Sequence, residues 1–453
     1  MSYSQKKKDI VESVFLSFLY GLILFFSPKI FAVLQPDSGG YIDFSSARTS
    51  IYPTIIDIFQ FFKSSYQVII LFQILVFLIS LSYFSYQFFK FKINKCVYVL
   101  MYISLSLNIY YNGFHFTILT ESISFSLILI ILGQLINYNY STSFNNPIYL
   151  VISSALLFTI KPAAGPILGV LIIYLLVKTI HLKKIKIFQV IKFIVLPLVL
   201  IFITENILFY SYHDIRKSVL EKHLFGKAVM INLLSYKERG VNFEFPNKNI
   251  NPFIKEVNIY LKNIIGLEKK CLVLERYGDF ENYSYFHLID ESKLGDLENK
   301  MFVKRTFQNK IKNYIQLMSI HYLNFFCVAS PIKYENYTDK PPFIEDNAFG
   351  EKYRKLIIQV PFIFLGLGFL FVNIYYVYLF LKQTFLKKYI MENVDKINIV
   401  LIILSQSYLL SVAATSISNP RYLMVVFPFM IFLVSTSIFK ILYSISKIKF
   451  FKI

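Results

Sequence analysis

The chain has 453 residues, of which 56% are hydrophobic and only 16% charged, with a mean hydropathy of +0.54. Soluble domains carry about 25% charged residues, so the composition excludes an ordinary soluble protein and points to a membrane. A net charge of +20 would fit a nucleic-acid binder, but outside residues 213–354 basic residues outnumber acidic ones almost three to one, while inside that stretch the two nearly balance; the excess sits on short loops between apolar runs and reads as topology.

A membrane span needs about 20 apolar residues. In chain order the candidate runs are Val14–Leu34, Gln67–Phe89, Cys96–Tyr111, Thr117–Ile136, Ile148–Ile160, Pro166–Val177, Phe188–Tyr210, Leu356–Leu381, Ile397–Thr415 and Tyr422–Leu442. The first follows Lys6–Lys8 as a signal peptide would, but no small-x-small cleavage site follows it, so it is expected to stay as a helix. The fifth and sixth are short and separated by KPAAGP, as two tilted spans or a broken pair.

Lysines set the expected orientation. Lys6–Lys8, Lys90/Lys92/Lys95, Lys178/Lys183/Lys184/Lys186, Lys382/Lys387/Lys388/Lys396 and Lys440/Lys447/Lys449/Lys452 fall on one side if every run spans. That side is cytoplasmic by the positive-inside rule, which puts both termini in the cytoplasm. The opposite loops carry only Lys29, Arg48, Lys63, Lys161, Lys355 and Arg421. The chain then divides into an N-terminal transmembrane region (1–211), an extracytoplasmic domain (212–354) and a C-terminal transmembrane region (355–453).

The first outer loop, residues 35–66, reads QPDSGGYIDFSSARTSIYPTIIDIFQFFKSSY and carries Asp37, Asp43, Arg48 and Asp57. Charges just past a span are costly to bury and belong at a water-facing rim. Within the loop Ile55, Ile58, Phe59 and Phe62 recur at helical spacing. The pattern fits a helix on the membrane interface or one packed on neighbouring spans. The segment 212–354 is polar but not low in complexity, so an ordered, mostly helical domain is expected. It contains an amphipathic helix over Phe302–Phe326, with Phe307, Ile311, Tyr314, Ile315, Met318, Tyr322 and Phe325 on one face.

With this topology Asp37, Glu121, Lys161, Glu205 and Arg421 all lie at the outer ends of spans. Ionisable groups at such positions are functional candidates, more so when opposite signs can pair. Taken singly, each has a plainer account. Lys161 and Arg421 serve as interfacial anchors, Glu121 pairs structurally with Lys161, Glu205 caps or bridges within the bundle, and Asp37 supports the PDSGG turn. Together they suit transfer from a phosphate-activated donor. A carboxylate deprotonates the attacking hydroxyl, while cations, or a divalent metal shared between carboxylate and phosphate, hold the leaving phosphate.

PDSGGY after the first span, ARTSIYP later in that loop, LTES at the fourth span, TIKPAAGP, and NPRYLMVVFPF opening the last span carry a resemblance. They resemble the GT-C superfamily of integral membrane glycosyltransferases, in particular the polyprenyl-phosphate-sugar-dependent branch with protein mannosyltransferases and aminoarabinose transferases. The resemblance implies an all-α bundle of about 10 transmembrane helices and inverting transfer of one sugar from a lipid-phosphate donor to a glycan, lipid or protein acceptor. It makes Asp37 the catalytic base and Arg421 with Tyr422, Arg48 and Lys161 the phosphate-binding groups. Asp43, Glu121 and Glu205 become supporting acids, and Asp37 with Asp43 the ligands of an optional Mg or Mn ion. A bacterial inner membrane fits the composition, which lacks Trp and is rich in Lys, Ile, Asn and Phe. The sequons at Asn282 and Asn336 matter only in a secretory pathway.

Other readings are a transporter or flippase for lipid-linked saccharides, an O-antigen polymerase or ligase, and a membrane scaffold. A transporter would distribute polar groups through the membrane depth. Cys96, Cys271 and Cys327 match no metal spacing, and a Cys271–Cys327 pair depends on the compartment.

Overall fold

A computed structural model describes residues 3–26, 34, 37–62, 65–140, 147–181, 190–217, 219–238, 296–326, 351–386, 392–416 and 421–450. Every regular element among them is helical. The first unit comprises 1–215, 331–408 and 424–453, and the second 216–330 and 409–423. Cys271, Cys327, Asn282, Asn336 and much of the expected extracytoplasmic domain lie outside the described residues.

The first unit is a helical bundle. Its helices are α1 (Tyr3–Phe26), α2 (Ser38–Ile42), α3 (Ile51–Phe61), α4 (Tyr66–Lys90), α5 (Lys95–Ser106), α6 (Ile109–Gly113), α7 (Glu121–Tyr140), α8 (Ile148–Ile160), α9 (Gly165–His181) and α10 (Leu196–Tyr210). A π-helical turn, Ile191–Val195, leads into α10. Late in the chain come α14 (Glu351–Leu386), α15 (Asn393–Thr415) and α16 (Arg421–Phe450), the last two crossing the boundary between units.

Among the described residues, seven segments are long and apolar enough to cross a membrane: Tyr3–Phe26, Tyr66–Lys90, Glu121–Tyr140, Ile191–Tyr210, Pro361–Gln383, Asn393–Thr415 and Arg421–Leu442. The other three expected runs form shorter apolar helices, Lys95–Ser106, Ile148–Ile160 and Pro162–Lys178. The run from Cys96 ends at Ser106 because Asn108 starts a new helix, its side chain accepting from the Tyr111 amide at 2.8 Å. KPAAGP forms a turn, with Pro162–Ala164 in a 3₁₀ helix between α8 and α9.

Helix α7 is the centre. Its apolar stretch is 83% buried, against 22% for Ile191–Tyr210 at the periphery. Close packing against α4 needs Gly133, where a Cβ would lie 2.8 Å from the Tyr83 ring and 3.4 Å from the Phe84 Cα. Several serines inside the bundle return their hydroxyls to the preceding turn, as Ser124 to Thr120 O at 2.7 Å and Ser154 to Leu150 O at 2.9 Å. On α10 the apolar side chains Val199, Leu200, Ile203 and Ile207 are exposed, the pattern expected of a lipid-facing surface.

One buried polar network joins the late helices of this unit. Asp395, fully buried on α15, accepts two hydrogen bonds from Lys440 on α16 at 2.6 and 2.7 Å and one from Tyr376 on α14 at 3.2 Å. Asn398 donates to Tyr376 Oη at 2.6 Å and Thr436 Oγ1 at 2.9 Å.

The described part of the second unit holds α11 (Val219–Glu238), α12 (Asp296–Asn309) and α13 (Ile311–Asn324). The expected helix over Phe302–Phe326 is two helices, broken at Lys310, whose backbone leaves the helical region at φ −131° and ψ 42°. The buried face of α13 also differs from the expected one. It carries Asn313, Leu317, His321 and Asn324, while Ile311 and Ile315 are exposed. Partners explain this: His321 Nδ1 lies 2.8 Å from buried Lys227 Nζ, so polar pairing overrides apolar periodicity.

Candidate functional site

The loop from Asp37 to Ser50 folds around one guanidinium. Asp37 precedes α2, to which its side chain makes no capping bond. Its Oδ1 instead accepts from Arg48 Nη2 at 2.9 Å. Arg48 Nη1 donates to Tyr41 Oη at 3.3 Å, and the guanidinium lies 4.5 Å from the Tyr41 ring centre. Gly40 makes room for it, since a Cβ there would sit 3.0 Å from Arg48 Nε. Both charged side chains remain partly open, at 28% and 29% exposure, so the pair is screened enough to separate.

This loop is fixed to the end of α10 by Glu205, Phe209 and His213, four residues apart along one stripe. Ser50 donates its amide to Glu205 Oε1 at 3.2 Å and its hydroxyl to the Glu205 carbonyl at 2.9 Å. Phe44 packs against Phe209 and His213, and its carbonyl accepts from His213 Nε2. Phe44 has φ of 42°, a left-handed conformation that a bulky residue keeps only where its surroundings hold it. Glu205 therefore positions the loop.

Tyr41 leads from the loop into the bundle. Its ring meets Tyr52 edge-on at 5.4 Å. Burial, reinforced by Tyr41 and Glu121, pushes the Tyr52 phenol well above its ordinary range, so it stays a neutral donor. Glu121 opens α7, where the helix dipole favours a carboxylate. Lys161 ends α8 because Pro162 disfavours helical backbone before it, giving φ −134° and ψ 89°. Lys161 Nζ lies 2.7 Å from Glu121 Oε1, and the two side chains are only 8% and 3% exposed. The structure thus joins Glu121 to Lys161, Asp37 to Arg48, and Glu205 to Ser50.

Beside this pair lie further buried polar groups: the Tyr52 hydroxyl, which faces the Gln73 side chain, and His115 Nε2, which has no hydrogen-bond partner among the described residues. His115 Nδ1 is 2.8 Å from Ser122 Oγ, and burial lowers its imidazole to about 3, leaving it neutral. These residues, with Tyr41 and His213, were not singled out in the sequence. Gln73, a lone amide inside an apolar run, and His213, eight residues after Glu205, were the available signals.

Asp43 is exposed, and Asp57 half-buried, on the first loop. Among the described residues no three His, Cys, Asp or Glu side chains group as a metal site. Arg421 and Tyr422 belong to the second unit. There the Arg421 guanidinium lies 5.6 Å from the Tyr422 ring centre, and Ser416 donates to Tyr422 Oη at 3.3 Å. Comparison with protein-family models, curated proteins and solved structures finds no match to this chain.

Proposed function

We propose that the chain is an integral membrane glycosyltransferase of about ten membrane-crossing helices, moving one sugar from a polyprenyl-phosphate donor to an acceptor hydroxyl with inversion. The observation that carries this reading is the partly open Asp37–Arg48 pair, whose Tyr41 packs on Tyr52 at the start of α3, together with the buried Glu121–Lys161 pair. A donor phosphate competes for Arg48, and its capture leaves the Asp37 carboxylate free to accept the acceptor's proton. Lys161, held by Glu121, adds positive potential for the departing phosphate. Glu205 keeps the loop in register with α10. The phosphate-binding role of Arg421 and Tyr422 is a separate proposal about the second unit.

A Mg or Mn ion between Asp37 and Asp43 fits poorly as the side chains stand. Asp37 holds a guanidinium and Asp43 is exposed, so the two do not form a ligand set and no step is routed through a metal. The proposed setting is a bacterial inner membrane, with both termini cytoplasmic and the Asp37 loop outside.

Sugar transfer in proteoliposomes tests the reading. Radiolabelled polyprenyl-phosphate sugars are supplied with membrane extract as acceptor, comparing wild type with Asp37→Asn and Arg421→Ala. Transfer by wild type and its loss in folded Asp37→Asn support the assignment; full transfer by Asp37→Asn removes its centre. A transporter of lipid-linked saccharides is a second reading, favoured by the Asp395–Lys440 network, which puts buried charge on α15 and α16 away from the Asp37 loop. Movement of labelled lipid between leaflets without transfer would select it.

A further inference from the structure

The last turn of α7, at the opposite end from Glu121, receives two ammonium groups. Lys90, ending α4, donates to Asn137 Oδ1 at 3.2 Å. Lys178, near the end of α9, donates to the Tyr138 carbonyl at 3.0 Å and Asn139 Oδ1 at 3.2 Å. Its Nζ lies 3.9 Å from the Tyr138 ring centre and 5.8 Å from that of Tyr174, whose hydroxyl fixes Asn139 at 2.7 Å. The end of a helix offers roughly half an elementary negative charge, which offsets less than one of the two ammoniums.

Further charge nearby deepens the imbalance. Lys396 on α15 acts on Lys178, and Lys6 on Lys90, both as like charges. The acids in the neighbourhood, Glu392 and Asp395, are directed to Lys440, at 3.7 and 2.6 Å. Among the described residues no carboxylate lies within ion-pair distance of Lys90, Lys178 or Lys396.

We propose that Lys178 and Lys396, walled by Tyr138 and Tyr174, bind the phosphate of an anionic phospholipid. The shared chemistry is a phosphate anion. A lipid is the source favoured because Ile173 and Val177, beside Lys178 on α9, are exposed apolar side chains along which acyl chains can lie.

Thermal unfolding of the purified chain in neutral detergent tests this, with titration by phosphatidylglycerol, phosphatidylcholine or inorganic phosphate. Phosphatidylglycerol is expected to raise the midpoint more than phosphatidylcholine, with inorganic phosphate inert. Lys178→Gln/Lys396→Gln is expected to weaken half-saturation by phosphatidylglycerol roughly thirtyfold, from two near-surface lysines. Lys95→Gln, whose partner is Glu12, should leave it unchanged. If the double variant folds poorly, the single Lys178→Gln and Lys178→Arg are compared, with only the arginine expected to retain the response. An equal response to both lipids, a full response in the glutamine variants, or an equal response to inorganic phosphate would each overturn the assignment. None of these readouts depends on sugar transfer.

Discussion

Lys161→Met provides the most searching test of the bundle interior. It removes the cation from a 2.7 Å pair whose side chains are 8% and 3% exposed, leaving Glu121 buried without its counter-charge. Removing one partner of a buried ion pair costs about 3–5 kcal/mol, because the remaining charge keeps its desolvation penalty. An internal control exists: Lys95 and Glu12 are also 2.7 Å apart, but their side chains are 66% and 32% exposed. Lys95→Met should therefore cost at most about 1 kcal/mol. The distance is equal in the two pairs, so any difference reports burial. Glu121→Gln/Lys161→Met leaves no buried charge and should cost less than the two single changes combined, by at least about 2 kcal/mol. The chain has no tryptophan, so far-UV circular dichroism during denaturant titration in micelles is the suitable readout. Lys161→Met costing no more than Lys95→Met would refute the argument and return Lys161 to the role of an interfacial anchor.

Three further changes address the site and its support. Ser50→Ala deletes the 2.9 Å bond to the Glu205 carbonyl while keeping the backbone bond to its carboxylate, and should lower unfolding stability by about 1–2 kcal/mol. Gly133→Ala forces a Cβ against the Tyr83 ring and the Phe84 backbone; a loss of about 1–3 kcal/mol is expected in the same titration. Tyr52→Phe removes a buried hydroxyl whose polar neighbour is the Gln73 side chain, so stability should fall by no more than about 1 kcal/mol. If that hydroxyl serves substrate beside Glu121, transfer in proteoliposomes should fall, and unchanged transfer would remove Tyr52 from the site.

Apolar length located the helices well, because a span must satisfy its backbone within itself whatever its neighbours are. Ile148–Ile160 and Tyr66–Lys90 lie where the runs of Leu, Ile and Phe put them. Boundaries moved where polar residues join a helix, as Lys6–Lys8 and Asp9 do in α1. Pairings across the bundle were less legible. The Glu121–Lys161 pair follows from opposite sign at matching span ends, whereas the Asp37–Arg48 pair within one loop was not foreseen. The contact of Ser50 with Glu205, 155 residues away, depends on which helices are neighbours, and periodicity carries no such information. Lys440 makes the same point in reverse. Composition marks it as a loop lysine that sets topology, yet its ammonium turns inward to Asp395.

Because α7 is gripped by charge at both ends, it is mechanically constrained. At its start Glu121 is tied to α8 through Lys161, and its last turn is tied to α4 and α9 through Lys90 and Lys178. Sliding this helix by one turn, about 5.4 Å, would break all of these ties together. Working motions are therefore expected in helices with little buried surface, such as Ile191–Tyr210, while α7 stays in place. The loop carrying Asp37 is fastened to α10 at Ser50 and Phe44, so it would travel with that helix as one piece.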